Sequence, residues 1–257
     1  MDDLPAVQSL WMGGGLSKME KTSINSFLGK GHEYHLYVYE HVGNTPEGVI
    51  IKNANDIIDR DDKSKYKGGK DYATFSDIFR YKLLLEKGGI WVDTDIICIK
   101  PFNFKNDYVF ASERVERQKK WEVKFPSKPV GCVIKSPPRS KIMSYCLDKS
   151  RQKKFEDIEW AEVGPDLLSK AIREFDMEKN IFFPWKFCPI SWWNWRRFVS
   201  QSMKDKVVEM AKKLVAKPYS YHLWNSKWSE GGESKNKVYP ENTIYGRMQK
   251  KYLPSDQ

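Results

Sequence analysis

Phe75 to Asp95, FSDIFRYKLLLEKGGIWVDTD, constrains this chain more than any other stretch. Phe75, Ile78, Phe79, Leu83 and Leu85 recur at helical spacing within Asp71 to Lys87. Gly88-Gly89 supplies the left-handed stop. Ile90 to Ile99 then reads as a buried strand interrupted by two of its own acids, Asp93 and Asp95, and Pro101 turns the chain.

The rest of the chain can be read around that core. Ala6 to Trp11 is a short apolar strand ending at Gly13-Gly14-Gly15, Leu16 to Leu28 has a helical pattern, and Tyr34 to Tyr39 is aromatic and β-branched. Strand, helix, strand in so short a span is a βαβ unit and implies a parallel sheet. Ile50 to Arg60 is ambiguous and Asp61 to Lys70 is a polar loop. Tyr108 to Ala111 and Val130 to Ile134 read as further strands, and Glu113 to Lys128, with Trp121, as a charged surface excursion. Ser140 to Gln152, Pro165 to Phe175 and Lys206 to Val215 read as helices, and Tyr219 to Trp224 as a last strand before a polar loop. Neither an internal repeat nor a domain boundary is visible, so residues 1–257 read as one domain.

Composition narrows the function. The net charge of +10 suits nucleic acid, an anionic membrane face or an acidic, phosphorylated substrate. The basic residues are scattered in short clusters, Gln118-Lys119-Lys120 and Arg196-Arg197, so nucleic acid is not the expected partner. Four cysteines without a CxxC pair read as reduced and buried, which fits a cytoplasmic location. The acidic N-terminus has no long apolar run, so neither a signal peptide nor a transmembrane span is expected in this sequence. Seven of ten Trp lie beyond residue 150. They read as a stacking surface for sugar or as core filling. The block Trp185 to Phe198, within a Trp-rich region at about 180–230, has three readings. It meets a membrane surface or lipid-linked acceptor, lines an acceptor-sugar groove, or covers the core.

Side-chain alternation in an extended chain places Trp91, Asp93 and Asp95 on one face and Ile90, Val92 and Thr94 on the other. Two carboxylates so placed repel unless a cation sits between them. Hard oxygen ligands suit Mg²⁺ or Mn²⁺. A solvated pair of acids is the ordinary explanation of D-x-D, but these acids are flanked by apolar runs, and buried carboxylates need a partner. On the preceding helix Asp77, Arg80 and Tyr81 share a face. They form a local ion pair or look into the same site.

The run Ser76 to Asp95 resembles the signature of the DXD-containing sugar transferases, most closely glycosyltransferase family 32, and is similar to the catalytic domain of the clostridial glucosylating toxins. Leu4-Pro5 with Leu10-Trp11-Met12-Gly13 is similar to the family's first strand, where backbone and aromatic groups hold the nucleotide base; Gln8 or Ser9 stands where a His is common. Val163-Gly164-Pro165 resembles the family's T-G-P turn near the sugars, and Tyr221 to Trp228 its closing H-x-W-x-x-S-W segment.

The resemblance implies an α/β, Rossmann-like nucleotide-sugar transferase fold of GT-A type, a mixed, mostly parallel sheet flanked by helices. It implies a retaining, metal-dependent hexosyltransferase using a nucleotide sugar, of the UDP-linked class, on a glycan or lipid-linked acceptor, as in surface polysaccharide synthesis at the inner face of a membrane. Asp93 contacts ribose or metal and Asp95 the metal, as Mn²⁺ or Mg²⁺. Asp77 and Arg80 hold the donor sugar. His222, or Asn225 and Ser226, completes the diphosphate–metal site, and Trp228 closes over the donor. Mn²⁺, Arg80 and a C-terminal lysine such as Lys227 stabilise the departing diphosphate. The competing readings are a toxin-like transferase acting on protein and a non-catalytic basic, aromatic module that binds polyanions. The second gives no reason for acids beside a phosphate.

Overall fold

The computed structural model describes residues 4–61, 70–116, 127–152, 158, 159, 161–205, 207 and 217–254. The Asp61–Lys70 loop apart from its ends, the middle of the charged excursion with Trp121, Trp160, and the Lys206–Val215 helix apart from Val207 lie outside them.

The βαβ unit is present. β1 (Val7–Trp11) leads into α1 (Lys18–Leu28) and then β2 (Tyr34–Val38), paired parallel to β1 with Val7 opposite Tyr34. Ser17 starts the helix by accepting a bond from the Met19 N–H, and Glu20 answers by bonding the Ser17 N–H, a capping box. The ambiguous segment after β2 begins as β3 (Val49–Asn53), parallel to β2. After α2 (Lys70–Lys87) come β4 (Gly89–Val92), β5 (Ile96–Cys98), β6 (Val109–Arg114) and β7 (Ser127–Ser136). The main sheet runs β3-β2-β1-β4-β7-β6, parallel from β3 to β4 and antiparallel beyond. The ends of the charged excursion are therefore strands, paired as far as Arg114 opposite Ser127.

Alternation along these strands feeds two apolar layers. Val7, Leu36, Ile90 and Val92 pack with Met19, Ile24 and Phe27 of α1. Leu10, Tyr37, Trp91 and Ile134 pack on the other face with Phe75 and Phe79 of α2, with Ile142 and Met143 of α3 (Lys141–Ser150), and with Leu168 and Ile172 of α4 (Leu167–Glu174). This is the helix-flanked mixed sheet that the resemblance implies.

Three expectations need correction. First, Ile90–Ile99 is two strands in two sheets. The Asp93 N–H donates to Cys132 O, the Ile96 N–H donates to Asp93 O, and the chain turns out of the main sheet. β5 then pairs antiparallel with β8 (Ser220–His222), with Ile96 opposite His222. The two acids thus sit on a turn between sheets rather than along one strand face, because carboxylates cannot continue a buried strand without partners. Second, the helix expected from Pro165 is regular only from Leu167; Glu162 to Asp166 is a wide turn in which Gly164 is non-helical. Third, the polar end of the chain contains α6 (Asn225–Glu230) and α7 (Ile244–Tyr252), after a short α5 (Pro184–Phe187) upstream. Ile244, Tyr245 and Met248 dock on the core. The Gly-, Ser- and Lys-rich run before them masked that short amphipathic pattern.

Gly88 and Gly89 both have positive φ, +66° and +93°. At Gly88 a Cβ would lie 2.5 Å from the Pro138 backbone nitrogen, which cannot move aside cheaply. Gly88→Ala is expected to cost roughly 2–3 kcal/mol in denaturant unfolding, from strained backbone and overpacking together.

Candidate active site

A cavity of about 960 Å³ opens where β1 and β4 end, lined by Leu10, Trp91 and Asp93 to Asp95. The carboxyl edge of an α/β sheet is where such folds bind ligands. Each further wall comes from one element. Ala73, Asp77 and Arg80 of α2 line it one helical turn apart, Val130 to Cys132 come from β7, His222 ends β8, and Trp224 and Asn225 to Lys227 come from the segment after it.

Arg80 ties two walls together. Its Nη1 donates to Asp77 Oδ1 at 2.6 Å and its Nη2 to Asp93 Oδ1 at 3.0 Å. The Trp91 indole N–H also donates to Asp93 Oδ1, at 2.8 Å, and the guanidinium lies 5.1 Å from the Trp91 ring centroid. Burial works against the charge on Arg80, but Asp93 and Asp77 more than offset it and hold its pKa up. Burial also dominates at Asp77; Arg80 pulls it back and Asp93 pushes it further, leaving a value of about 6.

Asp95 is tied to the end of the chain. The Asn225 N–H donates to Asp95 Oδ2 at 2.8 Å, and His222 Nε2 lies 3.4 Å from the same oxygen. Burial opposes the charge, yet the charge and hydrogen bond of His222 and the bond from Asn225 hold the carboxyl below its ordinary range. One ligand atom each from Asp93, Asp95 and His222 lies within 4.8 Å of the others. Two carboxylates and an imidazole fit a divalent cation of the Mg²⁺ or Mn²⁺ kind.

Of the residues expected at a site, Leu10, Asp77, Arg80, Trp91, Asp93, Asp95, Pro165, His222, Asn225 and Ser226 line this cavity, and Lys227 joins them. Four do not. Trp11 turns its indole to Gly14 O, beneath Lys235. Tyr81 is fully buried and donates to Gly164 O at 3.2 Å, so it braces the turn that Pro165 presents. Gly164 leaves room for the Asp77 carboxylate, since a Cβ there would overlap Asp77 Oδ2. Trp228 does not close over the cavity. It is completely buried among Trp195, Tyr239 and Tyr245, its N–H held by Leu223 O, because α7 and the chain leading into it close an aromatic pocket behind it.

Other residues were missed. Gly131 of β7 is where Arg80 lies; a Cβ would overlap its Nη1. Its signal was a single glycine inside an apolar strand pattern, a mark of close approach. Glu113 and Lys128 line the wall with no sequence signal, Lys128 pairing with Asp166 at 2.6 Å. The Trp185–Phe198 block divides. Trp192 lines the cavity, Trp195 and Phe198 are core, and Phe183 stacks on Trp185 at 4.4 Å.

Residues 17–116 match the glycosyltransferase sugar-binding region containing the DXD motif, and residues 136–255 match the alpha 1,4-glycosyltransferase conserved region. The chain is 24% identical over 192 residues to the human (Homo sapiens) alpha-1,4-N-acetylglucosaminyltransferase, covering 70% of this chain and 49% of that protein. It is 26% identical over 164 residues to the lactosylceramide 4-alpha-galactosyltransferase of Mus musculus, covering 59% and 41%. The chain thus spans less than half the length of these curated relatives. Among solved structures it is similar to the PaToxG glycosyltransferase, with a TM-score of 0.47 and 15% identity over 96% of this chain and 86% of that one.

Gly131→Ala is expected to displace Arg80 and cost about 1–3 kcal/mol in denaturant unfolding. It should also break the Asp77–Arg80–Asp93 bridge, read as altered Trp91 fluorescence. Asp77 predicts a stability step. Its folded pKa of about 6 lies above its ordinary 3.8, so folding loses stability as pH rises from the ordinary carboxylate range through about 6. Asp77→Asn should flatten that part of the profile in unfolding measured against pH.

Proposed function

We propose, from the premise that this chain belongs to the DXD-containing glycosyltransferases, that it transfers a hexosyl group from a UDP-linked sugar to a saccharide acceptor with Mn²⁺ or Mg²⁺ as cofactor. The observation that carries the reading is the convergence of Asp93, Asp95 and His222 on one cavity wall, with the Arg80–Asp77 pair beside them and bonded to Asp93. A cation bound at Asp93 and Asp95 supplies positive charge to the diphosphate of the donor.

The chain's own groups do the rest. Arg80 is committed to two carboxylates, so it acts on the sugar by positioning rather than by touching it. Its planar fork fixes Asp77 toward the sugar hydroxyls and Asp93 toward the metal and ribose. As the bond from the anomeric carbon to the phosphate oxygen breaks, charge collects on the diphosphate, and Lys227 in the cavity wall, paired with Glu230 at 2.6 Å at the exposed rim, would turn from that partner to meet it. The acceptor hydroxyl forms the new bond to that carbon, and its proton passes to the departing diphosphate oxygen. A protein nucleophile is then unnecessary. Trp192 and Trp224, both in the lining, offer faces for the apolar side of a sugar ring. The relatives are named for α-1,4 products, and transfer from an α-linked nucleotide sugar to such a product retains configuration.

Calorimetry with UDP, GDP and UDP-sugars, with and without Mn²⁺, tests the reading. Manganese-dependent binding of one nucleotide class is expected, weakened at least about tenfold in Asp95→Ala, a loss of a charge-assisted ligand. Absence of nucleotide binding under every metal would sink it. Arg80→Lys keeps the charge but loses the fork. Turnover is expected to fall about 100-fold with the circular dichroism spectrum unchanged; wild-type turnover would remove the Asp77–Arg80–Asp93 bridge from the mechanism.

A further inference from the structure

Behind the DXD turn lies a second cluster, two thiols that the transfer chemistry does not use and the far nitrogen of His222, which it shares with the donor-cation site. Cys132 of β7 and Cys188, just after α5, are both buried, with their Sγ atoms 3.7 Å apart. Cys188 Sγ is 3.9 Å from His222 Nδ1. One ligand atom from each of the three residues falls within 4.8 Å of the others. Across a tetrahedral Zn²⁺ with Zn–S of about 2.3 Å and Zn–N of about 2.0 Å, two thiolates sit roughly 3.8 Å apart and a thiolate and an imidazole nitrogen roughly 3.6 Å apart. The three side chains thus stand at close to ligand spacing.

We propose that Cys132, Cys188 and His222 Nδ1 form a site for a thiophilic divalent ion of the Zn²⁺ class, separate from the oxygen-rich site of Asp93 and Asp95. The donor set selects the ion, since thiolate and imidazole favour Zn²⁺ where carboxylates favour Mn²⁺ or Mg²⁺. The orientation of His222 fits as well. With Nδ1 toward the thiols, Nε2 faces Asp95 Oδ2 at 3.4 Å, the carboxylate–histidine–metal arrangement that fixes a ligating imidazole. On binding, the two thiols, and His222 Nδ1 when the imidazole is charged, release their protons to solvent, and the metal takes the two thiolates and one imidazole nitrogen. Cys132 and His222 line the cavity while Cys188 does not, so the fourth position of the ion opens toward the cavity and takes water.

The consequence is competition for one imidazole. His222 bound through Nδ1 keeps its Nε2 proton for Asp95 and is withdrawn from the donor-cation site. A thiophilic ion at the thiols therefore lowers the affinity of Mn²⁺ for Asp93 and Asp95.

Cobalt titration of the reduced, full chain tests this. One equivalent of Co²⁺ should give a near-ultraviolet thiolate-to-cobalt charge-transfer band with the visible bands of a tetrahedral ion, and Zn²⁺ should abolish both. Cys188→Ser should lose the charge-transfer band yet keep manganese-dependent UDP binding in zinc-free buffer. In the wild type, one equivalent of Zn²⁺ should weaken Mn²⁺ binding about tenfold, and Cys188→Ser should be insensitive. A wild-type protein that shows no charge-transfer band while binding UDP with Mn²⁺ would overturn the site and leave the transferase reading standing. A band that survives in Cys188→Ser would overturn it too. A cobalt band without nucleotide binding under any metal would keep the site and overturn the transferase reading.

Discussion

The buried guanidinium of Arg80 is the constraint around which the cavity is built. A charge held at 6% exposure needs counter-charges, and two carboxylates from different elements supply them. That requirement fixes the separation of α2 from the end of β4. It also explains two absences of side chain. Gly131 leaves space for the guanidinium and Gly164 for the Asp77 carboxylate, so β7 and the turn before α4 close on the ion pair with no Cβ between. Tyr81, one residue on from Arg80, holds the second of these turns through Gly164 O.

The other half of the cavity depends on a backbone event. The chain leaves the main sheet at Asp93, and the short β5 strand then has edges to satisfy. β8 satisfies one of them and in doing so brings His222 opposite Ile96, next to Asp95. The Leu223 N–H continues the contact to Asp95 O, and the Asn225 N–H reaches the Asp95 carboxylate. A two-stranded ladder of three residue pairs thus sets the position of every group that the C-terminal segment offers the cavity. The aromatic cluster of Trp195, Trp228, Tyr239 and Tyr245 lies behind that segment and supports it.

The placement of His222 joins the two candidate metal sites. Its two ring nitrogens face different ligand sets, oxygen on one side and sulfur on the other. An imidazole can stand between hard and soft donors in this way because it is the one side chain with two separated nitrogens on a rigid ring. Trp224, 3.9 Å from the imidazole ring centroid to centroid, restricts its rotation.

By itself the sequence determined the local units and the chemistry they carry. Helical spacing in Asp71–Lys87 placed Asp77 and Arg80 on one face, and the apolar runs around Asp93 and Asp95 marked carboxylates in need of a cation. These were legible because periodicity and short-range spacing act within one element. Tertiary structure alone decided what meets what. Gly131 touches Arg80 because β7 runs antiparallel to β4, and Cys132, Cys188 and His222 meet although 56 and 34 residues separate them along the chain. Trp228 read as a lid because nothing in its neighbourhood announced that Tyr239 and Tyr245, on and before a helix after a polar run, would enclose it. Contacts of that range arise from strand pairing and from the space left when two layers close on a sheet, and neither leaves a local trace in the order of residues.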